Sequence, residues 1–352
     1  MLHSEFIGRH RTLYAALSML PTRLRPLLLL VTAACVTAPR SPSAGSLHDS
    51  RSEFGVLVMA HGASPEWNAG VLQAVALVGE RYPTEVAFGM ADAGTIQEGV
   101  RRLEERGVGR IGVVRLFISG ESWYDRTEQI LGLVPGAPDA PPSSGSTTEF
   151  GDRERGGHGA HDQERTFWMI RTRASFALNR AGLAEAGGMG AVLADRARAL
   201  SRDPQREVVL ILAHGPGDDD ENARWLQTID KRANAVRHAL PFRRVVVETL
   251  REDWPAKRRE SEQRIRALVE GARNDGVATI VIPFRVQGFG PYADVLAGLD
   301  YVADGQGLLP HAAVSEWIVE QAELLRKAVP RAVVGAGPLP NAARESGTAA
   351  KR

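Results

Sequence analysis

The chain has 352 residues, enough for about two domains with hydrophobic cores of their own. Lys and Arg number 43 against 42 Asp and Glu, a formal net charge of +1, which excludes a broadly basic nucleic-acid surface and favours a small partner. Hydrophobic residues make up 43%, which excludes a disordered or fibrous chain, and the single cysteine excludes an intrachain disulfide and a cysteine-rich zinc site.

Residues 1–35 read as an export signal. Arg23 and Arg25 lead into the apolar run 27–34, too short to span a bilayer, and the small pair Ala33-Ala34 precedes Cys35, the only cysteine. The pattern resembles a bacterial lipoprotein signal, which implies an exported protein, periplasmic or in the cell envelope, anchored to the membrane only through a lipid on Cys35. The plainer alternative is a signal cut elsewhere, with Cys35 incidental. Residues 36–52 are rich in Ser, Pro and Ala without periodicity and read as a flexible tether.

From residue 53 the chain repeats itself. GVLVMAHG at 55–62 is answered by VVLILAHG at 208–215, both buried-strand runs ending in Ala-His-Gly. Each is followed by a helical pattern (65–82 and 219–239), a β-rich run (85–90 and 244–250), a second helix (95–106 and 255–274) and a third strand (107–120 and 276–288). In the first copy a short helix follows over about 122–131, and residues 166–185 lead to a helix at 189–202. In the second copy residues 299–311 lead to a helix at 312–328. Apolar strand runs without polar alternation, separated by helices, predict parallel sheets covered on both faces. The expected architecture is two tandem three-layer α/β/α domains, 53–203 and 204–334, each with a parallel sheet of about four strands. Residues 134–165, dominated by Pro, Gly, Ser and charge, read as a disordered insertion in the first domain, and residues 335–352 as a disordered tail.

Ligands of open α/β sheets bind outside the carboxyl ends of the strands, and His61 and His214 both stand there. The glycine after each lets the backbone turn sharply and keeps the imidazole accessible as a metal ligand or proton acceptor. The plainer alternative is a histidine that only hydrogen-bonds its own loop. The third strand of the first copy ends in Ser119-Gly120-Glu121-Ser122-Trp123-Tyr124, which places Glu121 near His61 if the two strands are neighbours. An imidazole and a carboxylate converging there would hold a divalent metal or accept protons, whereas a carboxylate serving only the next helix N-terminus is the simpler role. The second copy has Gln287-Gly288 at the matching place, so its site is expected to be chemically poorer. Asp92 is a further pocket candidate. The run Asp218–Glu221 reads as a solvated helix cap, His158 and His161 as incidental, and the arginines of 255–268 as an exposed helix face.

An apolar strand ending in His-Gly, followed by EVAF at 85–88 and GVGRIGVVRLF at 107–117, resembles the sirohydrochlorin chelatases. The tandem copies resemble the long members of that family, over residues 54–330 apart from the insertion. These class II enzymes insert cobalt, nickel or iron(II) into a tetrapyrrole without a nucleotide. The resemblance implies a divalent metal as substrate, a tetrapyrrole partner and no nucleic acid. It puts the family's first histidine at His61. The family's second histidine falls near Ser122 or Trp123, and the related protoporphyrin ferrochelatases pair a His with a Glu, a role the resemblance gives to Glu121. His61 would then present the metal, with His214 as a further candidate ligand, and Glu121 would bind the metal or accept pyrrole protons. Ser119, Gly120, Ser122 and Trp123 would line the macrocycle, with Trp123 and Tyr124 packing on the ring. The competing reading is a lipoprotein that binds metal or tetrapyrrole without transforming it, and a third is an interaction module with neither activity. The first domain is expected to carry the working site and the second to serve mainly as scaffold.

Overall fold

A computed structural model of the protein describes residues 53–141 and 166–334, all within one compact unit, Arg51–Arg352. The expected signal with Cys35, the tether, His158, His161 and the tail lie outside the described residues, as does the insertion from residue 142 onward.

The first half runs β1 (Glu53–Ala60), α1 (Pro65–Gly79), β2 (Thr84–Phe88), α2 (Ala93–Glu105), β3 (Val108–Leu116), α3 (Tyr124–Ile130), β4 (Ser175–Leu178) and α4 (Met189–Leu200). The second runs β5 (Glu207–Ala213), α5 (Asp219–Ala239), β6 (Arg244–Thr249), α6 (Pro255–Asn274), β7 (Ala278–Phe284), a short α7 (Tyr292–Val295) and α8 (Ala312–Lys327). Helix starts follow the local chemistry. Ser64 accepts from Trp67 N at 3.3 Å with Pro65 in the first turn of α1, Asp92 accepts from Thr95 N at 2.8 Å, and Asp218 accepts from Glu221 N at 2.8 Å.

The strands form two parallel sheets, one of four in the order β2-β1-β3-β4 and one of three in the order β6-β5-β7. The second sheet is one strand short of the expectation. Where a fourth strand would lie there is a single parallel bridge, Ile280 to Val302, followed by Gly305 at φ +72°. A glycine in that region of φ/ψ space ends an extended run.

Side chains alternate across each sheet. Val56, Val58 and Ala60 of β1 face one core, while Leu57 and Met59 face the other beneath α2; Val209, Ile211 and Ala213 of β5 are likewise opposed to Leu210 and Leu212. Both faces are dry, hence the unbroken apolar runs. The first of these cores is shared between the halves. Helix α4, last in the first repeat, packs on α5 and β7, and α8, last in the second, packs on α1 and β3. Val192, Leu193, Trp317 and Ile318 therefore join Val58 and Ile211 in a single cluster. Burial of each such apolar side chain is worth roughly 1.5–3 kcal/mol, and this packing crosses the repeat boundary near residue 203.

Candidate functional site

Ala60 pairs with Phe88 and with Leu116, so the loops after β1, β2 and β3 are neighbours at the carboxyl edge of the first sheet. His61 follows β1 directly and is exposed, with Gly62 at φ +77° making the turn. His61 Nδ1 lies 2.7 Å from the Gly62 carbonyl. A carbonyl only accepts, so Nδ1 carries the proton, and in the neutral ring Nε2 then presents the lone pair, the arrangement a metal-binding or proton-accepting imidazole needs. The Trp67 ring lies 6.2 Å away, centroid to centroid.

The loop after β3 is held from beneath by Arg115, whose side chain is buried in the sheet. Its guanidinium donates to the carbonyls of Gly120 (2.7 Å), Ser122 (2.6 Å) and Asn179 (3.1 and 3.2 Å), and burial pulls its pKa down to about 10. Ser119, also buried, accepts from Glu121 N at 3.1 Å. Gly120 packs so tightly that a Cβ would stand 1.9 Å from the Arg180 carbonyl. Trp123, at φ +58°, packs partly buried against the core under the first sheet. The expectation that Tyr124 packs on a ligand ring does not hold. It is buried between the guanidinium groups of Arg115 (4.7 Å) and Arg180 (4.3 Å), and its hydroxyl donates to Glu128 at 3.1 Å.

Between the two pinned carbonyls, Glu121 sits on the exposed side. Its carboxylate takes a two-pronged ion pair from Arg224 of α5, Nε to Oε1 at 3.1 Å and Nη2 to Oε2 at 2.8 Å, and this hydrogen bonding holds the carboxyl below the usual carboxylate range. The structure thus pairs Glu121 with the second half, while His61 and Glu121 share an edge. Asp92 is spent as the cap of α2 rather than lining a pocket, and Asp218 caps α5 as the simpler reading had it. Asp219 pairs with Arg251 and Lys257.

The second histidine is in richer company than expected. His214 Nδ1 makes the same 2.7 Å contact to the following carbonyl, but Nε2 faces Asp253 at 2.9 Å and Glu252 at 3.5 Å, and the Trp254 ring stands edge-on at 6.1 Å. Burial opposes the charged ring, yet the hydrogen bond to Asp253 and the charges of Glu252 and Asp253 outweigh it and raise the His214 pKa. Arg285 pairs with Glu252 and lies over the ring of the fully buried Tyr292. The neutral Gln287 lies instead on Gly70 of the first half. Glu252, Asp253 and Arg285 escaped the sequence reading. The signal for the two acids was the pair Glu252-Asp253 in the loop that follows β6. Among the described residues, no group of three or more His, Cys, Asp and Glu side chains is arranged to hold a metal ion, and no helix is long and apolar enough to cross a membrane.

Comparison with known proteins adds two findings. The family model CbiX matches residues 55–127, a stretch that includes His61 and Glu121, and no curated protein matches the chain. Among solved structures, SirB from Bacillus subtilis with Fe3+ is 13% identical at a TM-score of 0.50, covering 77% of this chain and 94% of its own. SirB from Bacillus subtilis subspecies spizizenii in complex with cobalt is 14% identical at 0.47, covering 79% and 99%. A multi-domain Deinococcus radiodurans protein with structural similarity to chelatases is 18% identical at 0.44, covering 77% of this chain and 55% of its own, so this chain spans about half of that protein. At such identities the likeness to SirB is one of fold, an α/β architecture of parallel sheets.

Proposed function

We propose that the protein is a chelatase of the sirohydrochlorin type that brings a divalent metal, cobalt, nickel or iron, to a tetrapyrrole, with His61 presenting the metal. The observation that carries this reading is His61 itself, at the carboxyl end of β1 and inside the stretch that the CbiX model matches, with Nδ1 tied to Gly62 so that Nε2 bears the lone pair. Insertion forms metal–nitrogen bonds while two pyrrole protons leave, so the site needs a proton acceptor as well as a ligand. Glu121 is the carboxylate on the neighbouring loop, and it serves once it has parted from Arg224. The loop backbone at Gly120 and Ser122, fixed by Arg115, lines the same edge. The metal and macrocycle are both substrates, and no nucleotide takes part.

A second reading, a carrier that binds the metal or macrocycle without joining them, draws support from the engagement of Glu121 by Arg224. One experiment separates the two. The full chain is incubated with sirohydrochlorin or protoporphyrin and Co2+, Ni2+ or Fe2+, and the absorption of the metallated macrocycle is followed. Turnover supports the chelatase, binding without metallation supports the carrier, and neither overturns both. Export with lipid attachment at Cys35 belongs to the same proposal. Labelled fatty acid should tag the wild type in a bacterial host and not Cys35→Ala, and a mature protein that retains residues 19–34 would sink it.

A further inference from the structure

Among the described residues, two of the contacts between the halves across their carboxyl edges have opposite character. Gln287, in the loop after β7, lies on Gly70 of α1 so closely that a Cβ there would stand 2.0 Å from Gln287 Oε1, and its Nε2 approaches the Glu66 carbonyl at 3.4 Å. Glu121, in the loop after β3, meets Arg224 of α5. The first crossing is neutral and closed. The second is charged and open, with the Arg224 and Glu121 side chains 54% and 53% exposed.

We propose that Arg224 is the receptor for a carboxylate of the ligand, and that Glu121 is the resident carboxylate which the ligand displaces. This rests on the tetrapyrrole reading above and assigns the residue that would grip an acid side chain of the macrocycle. A guanidinium fork grips any carboxylate in the same two-pronged geometry. Because the pair is half exposed, one carboxylate replaces another in nearly the same surroundings, and little is lost in the exchange. The loop backbone need not move, since Arg115 holds the carbonyls on both sides of Glu121, at Gly120 and Ser122. Only the Glu121 side chain turns. Exchange, rather than addition, is dictated by the surroundings: Asp218 and Glu221 already lie near Arg224, and the Glu221 carboxyl is pushed up by burial and then by the charge of Glu121. A further anion beside Glu121 would meet three carboxylates. The exchange couples arrival of the macrocycle to release of Glu121 on the edge it shares with His61.

The test uses the full chain and two probes, metal-free sirohydrochlorin and its fully esterified form, with binding followed by macrocycle fluorescence. Arg224→Gln should weaken binding of the acid severalfold, because Glu121, Asp218 and Glu221 then repel it unopposed, and leave the ester unchanged, and Glu121→Gln should tighten the acid severalfold by removing its competitor. Both residues are half exposed, so neither change empties a core. An Arg224→Gln variant that binds the acid like wild type overturns the exchange alone, as does a Glu121→Gln variant weakened as much as Arg224→Gln. Equal weakening of acid and ester by Arg224→Gln also overturns it. A wild type that binds neither probe overturns the tetrapyrrole reading and this proposal together.

Discussion

After β1 the imidazole of His61 is exposed and bonded to the next carbonyl; after β5 the imidazole of His214 makes the same bond and has Asp253 at 2.9 Å on its other nitrogen. The backbone is alike at both places, with Gly62 and Gly215 each at φ +77°. The electrostatics are not. At His214 the acceptors at both nitrogens stabilise an imidazolium, which has no lone pair to give a metal. The strand-to-turn geometry is thus the same in both halves, and at His214 the loop after the second strand, with Glu252 and Asp253, sets the chemistry.

The largest expected effect is on the asymmetry itself. His61→Ala should lower metal insertion, or metal binding in a carrier, by on the order of 100-fold, as loss of a ligand does, while His214→Ala should leave most of it. Circular dichroism of both variants establishes folding first. An inactive His214→Ala beside an active His61→Ala would invert the comparison.

Next comes Arg115, which has no counterpart in the second half, where β7 carries Pro283 one residue before its end. Arg115→Met strips the donors from four hydrogen bonds to the carbonyls of Gly120, Ser122 and Asn179. Carbonyls left without donors in a buried setting cost on the order of 1–3 kcal/mol each, a loss read by urea unfolding. Hydrogen exchange should speed up in residues 117–124 and be unaltered in 250–256.

A smaller effect tests His214 by pH. The folded-state pKa of His214 is raised, so its contribution to stability is complete below its ordinary value of 6.5 and is lost as pH rises through the folded value. The thermal midpoint of wild type should exceed that of Asp253→Asn most at about pH 5.5, and the gap should narrow by about pH 8.5. A gap that widens with pH would contradict the imidazolium. The smallest effect is expected at the open crossing, where Glu121→Gln should change stability by less than about 1 kcal/mol, because an exposed ion pair contributes little. A larger loss would make the pair a structural brace.

The strands and the two histidines were legible because burial on both faces of a parallel sheet writes itself as unbroken apolar runs, and because the Ala-His-Gly turn occurs twice. The caps Asp92 and Asp218 were legible as residue types, although Asp92 also looked like a pocket residue. Glu121 was found for its position after β3, but its partner lies 103 residues away on α5, and nothing in the local sequence marks Arg224. The same holds for His214, whose companions Glu252 and Asp253 come from the loop after β6 and Arg285 from the loop after β7.

By itself, then, the sequence determined the α/β class, the alternation of strands and helices in two similar runs and the placing of an imidazole after the first strand of each, since these depend on periodicity and on neighbouring residues in the chain, while the strand order came from the structure. Tertiary structure alone decided that α4 and α8 cover the opposite sheets, that Glu121 reaches across to Arg224, and that His214 lies against Glu252 and Asp253. Those outcomes depend on which loops a shared core brings side by side, and a packing free energy summed over two sheets leaves no mark at any single position.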